Sequence, residues 1–548
     1  MFSLRASEFL FLLFIYLLGL YLELLPRLTI DPHLLTFNAD IWYRLSIAQY
    51  VRDHGRFPSF SIRYISYLTM PEWYPPVFPS FLALVAKLSR LDIPTVCSRI
   101  IPFLESLAPL SLYFLARHLY GRLAAALATL TLALTTAFVY WNSISDPQSF
   151  IMFMMPLVLL VWVWYVQTRA GRSWRNRAAI VAGLGVVLAV SFMTHLMFFL
   201  MVIMLFMVHL SLVLKKKASA RSTVDLSLAV ALSQALTAFW WLPRHLYWWW
   251  VNGLSTSSGF KPLGGQMADY GVIAFLIGGA CFVVVISKKF FSKDRAQSFL
   301  LLPVFWALLP LIETQNEFLL RLIHRADLLW SPLGKPLEGF RFQPFLAQPF
   351  ALCVGMVVAG VVSAICARRG WMRRPVAIVV AALLGALLLW DIQGISRLST
   401  RLQTAGITIN EYKAARWFRE HAGPDDRIVA DYYRSQMLAG VCGGKALLGL
   451  PFPLRNVAAK HVSVKDVQQT RDDVYMIYQT EFAEYAALLM KRYHITHVFI
   501  SEELAKTGNF GSLYHDTFGA RIDRAKFLDG NYFEVVYNKD GILIVKCR

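Results

Sequence analysis

Three short polar segments place carboxylates between long apolar runs: Asp40 in FNADIWYRLSIAQYV, Asp146 in SISDPQSF, and Glu313 with Glu317 in LIETQNEF. Carboxylate oxygens are ligands for hard divalent cations such as Mg2+ or Mn2+. A cation held there would neutralise a phosphate or pyrophosphate leaving group. Both aspartates also suit helix starts: Asn38 or Asp40 can cap the helix that follows, and Asp146-Pro147 reads as a cap with proline at the first helical position. Capping and ligation are compatible roles.

The elements that must position these acids are membrane helices. The chain has 548 residues, is 57% hydrophobic and has a mean hydropathy of +0.50. Apolar runs of about twenty residues, the length that crosses ~30 Å of hydrocarbon, recur along it. They predict eleven spans, near residues 7–29, 96–116, 123–141, 150–168, 178–193, 196–214, 224–246, 268–287, 297–312, 345–367 and 375–392. The first run is longer than the apolar region of a signal peptide and lacks a small-x-small cleavage site, so it reads as a retained helix.

Alternation of these spans puts Arg5, Arg117, Arg122 and the segments TRAGRSWRNR, KKKASAR, KKFFSKDR and ARRGWMRR on one side, which should be cytosolic together with the N-terminus. Those loops hold nineteen Lys and Arg against three acids, Glu8, Asp225 and Asp294, which accounts for most of the net charge of +20. The basic balance therefore requires no nucleic-acid partner. Residues 30–95, residues 313–344 and the tail after about 395 fall outside. Four cysteines lie in or beside spans; Cys442 and Cys547 lie in the tail, where a disulfide is conceivable but no spacing motif supports one.

In the first external segment, Ile41, Leu45, Ala48 and Val51 form the apolar stripe of a helix that Gly55 and Pro58 end. SFLALVAKLSRL is apolar but too short to span, and suits a helix lying in the interface. The tail alternates helix and strand through INEYKAARWFREHAGPDDRIVADYY and EFAEYAALLMKRYHITHVFIS, and closes on a hairpin around Asn538 to Gly541. The expected architecture is a polytopic α-helical membrane domain, residues 1–394, followed by an extracytoplasmic α/β domain, residues 395–548.

In order and position these elements resemble the GT-C superfamily of membrane glycosyltransferases, most closely the oligosaccharyltransferase catalytic subunit, over nearly the whole chain. The family's first-loop aspartate, ahead of an aromatic, arginine-bearing helix, corresponds to Asp40. Its second site, Asp-x-Asp or Asp-x-Glu, corresponds to SDPQ, so Asp146 is matched and Gln148 stands where the second acid would be. The resemblance thus implies a cation held by Asp40, Asp146, Gln148 and one of Glu313 or Glu317, with a weaker charge or a ligand from elsewhere. GFRFQPFLAQPFALCVG is similar to the family's arginine-bearing segment, which implies that Arg341 meets a lipid-linked phosphate; a planar guanidinium suits that task. VADYYRSQ lies where oligosaccharyltransferases carry Trp-Trp-Asp-Tyr-Gly. It keeps Asp431 and Tyr432 without the tryptophans and the glycine, so asparagine in a sequon does not carry over as the acceptor, whereas glycosyl transfer does.

His195, at a tight external turn, either contacts substrate phosphate or is a hydrogen-bonded structural histidine. The cluster FWWLPRHLYWWW is either an aromatic belt or a stacking surface for lipid or sugar. The resulting expectation is a glycosyltransferase taking a polyprenyl-linked sugar from membrane lipid to a protein, lipid or glycan acceptor, in a prokaryotic plasma membrane or, alternatively, the endoplasmic reticulum. A transporter or flippase would concentrate ionisable groups at mid-membrane, where Glu105 is the main example. A non-catalytic scaffold would tolerate Gln148 and the missing tryptophans.

Overall fold

The computed structural model describes residues 5–28, 39–59, 74–143, 147–171, 173–195, 197–249, 271–291, 301–314, 343–366, 373–403, 407–443, 446–448, 464–507 and 522–548. They divide into two compact units. The first comprises residues 1–29, 99–239 and 256–400, and the second residues 30–98, 240–255 and 401–548. Residues 30–98, between the first two sequence spans, thus group with the tail.

The first unit is helical. Among the described residues six helices are long and apolar enough to cross a membrane, Ala6–Leu24, Ile93–Tyr120, Gln148–Thr168, Trp174–Phe192, Ala220–Pro243 and Gln343–Ile365. Arg122–Ala133 and Thr136–Asn142, bent by 64°, make a seventh if the pair is one span. Four of the eleven expected spans are shorter apolar helices or lie in part outside the described residues: Phe198–Leu214, Val272–Phe291, Leu301–Thr314 and Arg373–Gln403. The 93–120 span is itself broken, with a π-helical turn at Val96–Ile100 and prolines at 94, 102 and 109. Proline removes an amide donor and frees the carbonyl four residues earlier, which opens such a helix. Ser106 Oγ lies 2.7 Å from Pro102 O and 3.0 Å from Glu23 Oε2, which brings a buried carboxylate to the break.

Small residues let two of the helices approach closely. A Cβ on Gly355 would meet Ala124 O and come within 2.8 Å of Ala128 Cβ, so Gln343–Ile365 can lie against the Ala124-x-x-x-Ala128 face only with glycine there. Acids of the basic loops hold helix ends together. Glu8 accepts from Tyr113 Oη at 2.8 Å, Arg117 Nε at 2.9 Å and Arg122 Nε at 3.2 Å. Asp225 accepts from Tyr165 Oη at 2.5 Å, Arg169 Nε at 2.9 Å and Arg177 Nη2 at 3.3 Å.

The second unit contains a five-stranded mixed sheet of order β2-β1-β3-β5-β4, with β1 Ile428–Ala430, β2 Ala446–Leu448, β3 His497–Ser501, β4 Phe533–Lys539 and β5 Ile542–Cys547. β1 pairs in parallel with β2 and β3, whereas β5 is antiparallel to β3 and β4. β1 and β3 are buried throughout, as central strands with covered faces are. Asp540 and Gly541 both take positive φ, 52° and 79°, the conformation of a type I′ hairpin turn. All six cysteines are thiols, Cys442 and Cys547 included.

Candidate functional site

Asp40 lies in the first turn of helix Ala39–His54, one residue inside its start rather than ahead of it. Its side chain is outside the described residues. The helix is buried on every side from Ile41 to Gln49, and not along one stripe, because two surfaces meet it. On one, Trp42 packs onto helix Tyr432–Cys442: a Cβ on Gly440 would stand 2.7 Å from Trp42 Cε3 and 3.0 Å from Trp42 O. The Trp42 ring also lies 6.3 Å from that of Tyr412. On the other, Tyr43 and Ile47 pack against Tyr74, and the Arg44 guanidinium sits 5.1 Å over the Tyr74 ring.

Asp431 directly follows β1 and is fully buried. Its Oδ1 accepts from Arg434 N at 3.3 Å and its Oδ2 from Arg434 Nη1 at 3.2 Å. Arg434 Nε in turn donates to Glu411 Oε1. Glu411 also closes a capping box with Thr408 at the start of helix Ile409–His421. Ser435 Oγ, 2.8 Å from Ala430 O and 3.1 Å from Ala430 N, completes the turn. Burial pushes the Asp431 carboxyl up from its ordinary range while Arg434 opposes the rise. The VADYYRSQ segment is thus a buried ionic joint between two helices. Tyr432 begins helix Tyr432–Cys442, and its side chain lies outside the described residues.

The two described flanks of the polar island in the first unit are tied together. Ser149 Oγ donates to Trp141 O at 3.3 Å, which ties the end of helix Thr136–Ser143 to the start of Gln148–Thr168. Gln148, first residue of the second helix, is fully buried, and Asn142, on the other flank, is 1% exposed. Pro147 is the N-cap residue and gives no side-chain cap; Asp146 lies outside the described residues. His195 sits in the turn between helices Trp174–Phe192 and Phe198–Leu214, where its Nδ1 accepts from Met197 N at 3.1 Å, so it has a structural bond. Glu313 is in the last turn of Leu301–Thr314 with its side chain outside the described residues, as are Glu317 and Arg341 altogether.

Among the described residues no group of three His, Cys, Asp or Glu could hold a metal ion. Asp40 and Asp431 are brought into one unit, linked through Trp42, Tyr412 and the neighbouring Glu411. Trp42, Gly440, Glu411, Arg434 and Asn142 were not singled out from the sequence. Of these only Glu411 carried a signal, the Thr-x-x-Glu capping pattern.

No protein-family model and no curated protein matches the sequence. Solved structures do match. The archaeal oligosaccharyltransferase AglB from Archaeoglobus fulgidus, in complex with an inhibitory peptide and a dolichol-phosphate, is 14% identical over 94% of this chain and 71% of its own, with a TM-score of 0.62. ArnT from Cupriavidus metallidurans bound to undecaprenyl phosphate is 13% identical over 99% and 98%, with a TM-score of 0.55. The arabinofuranosyltransferase AftD from Mycobacteria is 11% identical over 100% and 40%, with a TM-score of 0.56. The chain has the GT-C fold. Its apolar helices and this GT-C architecture make it an integral membrane protein.

Proposed function

We propose that this GT-C chain is a glycosyltransferase that moves a sugar or oligosaccharide from a polyprenyl-phosphate or pyrophosphate donor to a protein, lipid or glycan acceptor on the external or lumenal face. The observation that carries the reading is the fold, aligned over 94% and 99% of this chain with two neighbours solved with a polyprenyl phosphate. The basic loops favour an N-terminus in the cytosol; the membrane is a prokaryotic plasma membrane or, alternatively, that of the endoplasmic reticulum.

Asp40 orients the acceptor and takes its proton as the acceptor atom bonds to the anomeric carbon. The bond from that carbon to the phosphate oxygen breaks, and the phosphate keeps the electron pair. Arg341 binds the departing phosphate through its guanidinium. Asp40, Asp146, Gln148 and Glu313 or Glu317 would supply the hard oxygen donors that Mg2+ or Mn2+ requires, and AglB has also been solved in complex with Zn and sulfate. Such an ion, when bound, supplies charge neutralisation at the phosphate. Asp431 acts by holding helix Tyr432–Cys442, on which the Asp40 helix rests, and Tyr432 is the adjoining candidate for acceptor contact. His195 is a candidate contact for the phosphate.

The test is reconstitution of the protein into vesicles with a radiolabelled polyprenyl-linked sugar pool, followed by fractionation into protein, lipid and glycan. Label leaving the pool for one fraction supports transfer and identifies the acceptor class. Label that changes leaflet with its lipid intact would establish a flippase instead.

A further inference from the structure

Helices Gln148–Thr168, Trp174–Phe192, Phe198–Leu214 and Ala220–Trp249 meet at one end of the first unit. Asp225 pairs with Arg169 and Arg177 from two of them, Arg169 Nη1 donates to Ser219 Oγ at 3.0 Å, and His209 Nε2 lies 2.9 Å from Thr223 Oγ1. Residues 169–177 and 215–225, which form this end, hold eight Lys and Arg against one acid, Asp225. That acid is already taken by Arg169 and Arg177. Among the described residues no acid pairs with Arg175, Lys215, Lys216, Lys217 or Arg221.

The surface beside these cations is apolar and open. Arg221, Val224 and Leu228 share one helix face by their i, i+3, i+7 spacing, and both apolar residues are exposed. Leu210 and Leu214, one turn apart, are exposed as far as Lys215, and Trp174, next to Arg175, is 72% exposed. Only 33% and 28% of the apolar stretches of Trp174–Phe192 and Ala220–Pro243 are buried, against 67% for Gln343–Ile365, so these two helices lie at the rim of the bundle, against lipid. An apolar stripe that ends in unpaired cations marks the level at which acyl chains give way to phosphates.

The backbone adds a second observation. Lys216 takes φ 54° in the turn that closes Phe198–Leu214, where its N donates to Val213 O at 2.8 Å and Lys217 N donates to Leu212 O at 2.8 Å. This is the C′ position of a Schellman turn, which glycine fills with less strain. A lysine there keeps a charge at a conformational cost.

We propose that this corner is a docking site for an anionic phospholipid, with its phosphate at the Lys215 to Lys217 turn, Arg175 and Arg221, and its acyl chains along the apolar stripes beside them. A zwitterionic headgroup carries its own ammonium and would leave the five cations uncompensated. A soluble polyanion would make no use of the exposed stripes. The inference requires only that the chain is an integral membrane protein, and stands apart from the glycosyl-transfer reading.

Thermal unfolding of the full-length protein in a neutral detergent tests it, with phosphatidylglycerol, phosphatidylcholine of the same acyl chains and inositol hexakisphosphate as probes. Wild type is expected to respond to phosphatidylglycerol at about tenfold lower concentration than to phosphatidylcholine, with a difference that shrinks as salt rises. A variant carrying Lys215→Gln, Lys216→Gly, Lys217→Gln and Arg221→Gln is expected to respond to the two lipids alike. Lys216→Gly alone should unfold, without lipid, no earlier than wild type, since glycine relieves the turn, yet require several-fold more phosphatidylglycerol; it serves as the test if the combined variant does not fold. Lys491→Gln with Lys539→Gln, both exposed in the second unit, should leave the preference intact, and its loss there would mean a response to net charge and overturn the site. Equal response of wild type to both lipids overturns the proposal, as does an unchanged preference in the variants of this corner. A shift with inositol hexakisphosphate as large as with phosphatidylglycerol overturns it in favour of a soluble polyanion.

Discussion

Gln348 Nε2 donates to Met152 O at 2.6 Å, across two buried helices. Met152 is four residues before Pro156, and proline has no amide hydrogen with which to satisfy that carbonyl. The side chain of one span therefore completes the backbone of another. Such a repair is one way for a proline to sit inside a helix that lies out of reach of water.

Gln348→Leu should lower stability by about 1–2 kcal/mol, since it strands a buried carbonyl but also removes the unbonded Gln348 Oε1. Pro156→Ala in the same chain should recover most of that loss, because the alanine amide can donate to Met152 O. Thermal midpoints of the two single variants and the double variant in one detergent check the coupling, and additive effects would refute it.

Gly440→Ala should displace the Trp42 indole and cost about 1–3 kcal/mol, as overpacking of a filled core does. The Asp40 helix rests on that indole, so transfer should fall with stability. Gly360→Ala, with nothing within 4 Å of the added carbon, should be neutral or slightly stabilising in its helix. Limited proteolysis and turnover of both variants separate local displacement from a general response to added volume.

Arg434→Leu leaves Asp431 and Glu411 buried without the guanidinium between them, and should cost about 3–5 kcal/mol. Arg434→Lys should rescue little, because one ammonium cannot reproduce the two-armed contact to Glu411 and Asp431. Chemical denaturation followed by tryptophan fluorescence reports the loss.

His497 links the stability of the second unit to pH. Burial pushes its imidazole down from 6.5 to about 4, with Asp426 opposing and Lys546 adding to the shift. The folded state holds the ring neutral while the unfolded chain protonates near 6.5. Its stabilising effect is therefore complete above pH 6.5 and is lost as pH falls toward 4, by roughly 2–3 kcal/mol. Asp426, whose carboxyl is also lowered, though against the pull of burial, by Gly423 N and the charges of His497 and Lys546, steepens the loss at the acid end. His497→Phe should flatten the stability profile between pH 6.5 and 4, as measured by denaturation at a series of pH values.

The apolar runs made the membrane helices legible, and the Asp540-Gly541 turn made the terminal hairpin legible, because both signals are local. Glu8 and Asp225 counted in the sequence only as acids among basic loops; the structure makes them ion-pair partners of arginines on other helices. The Gln348 to Met152 bond joins residues 196 positions apart, and nothing near either one announces it. The break at 96–107 lies in a mostly apolar run, and the prolines at 94, 102 and 109 carried its local signal. Of the candidate site, the start of the Asp40 helix was readable to within a residue. Its burial against Gly440 was not, since a glycine required for close packing looks like any glycine in a loop-rich segment.

The most direct test of the account is transfer of labelled sugar from a polyprenyl-linked pool by the purified protein, with and without EDTA, for wild type, Asp40→Asn and Asp146→Asn. The account predicts turnover by wild type that chelation abolishes and Mg2+ or Mn2+ restores, with losses of about a hundredfold or more in both variants. Wild-type turnover indifferent to chelator and to both substitutions would contradict it and leave the two aspartates as helix-start residues.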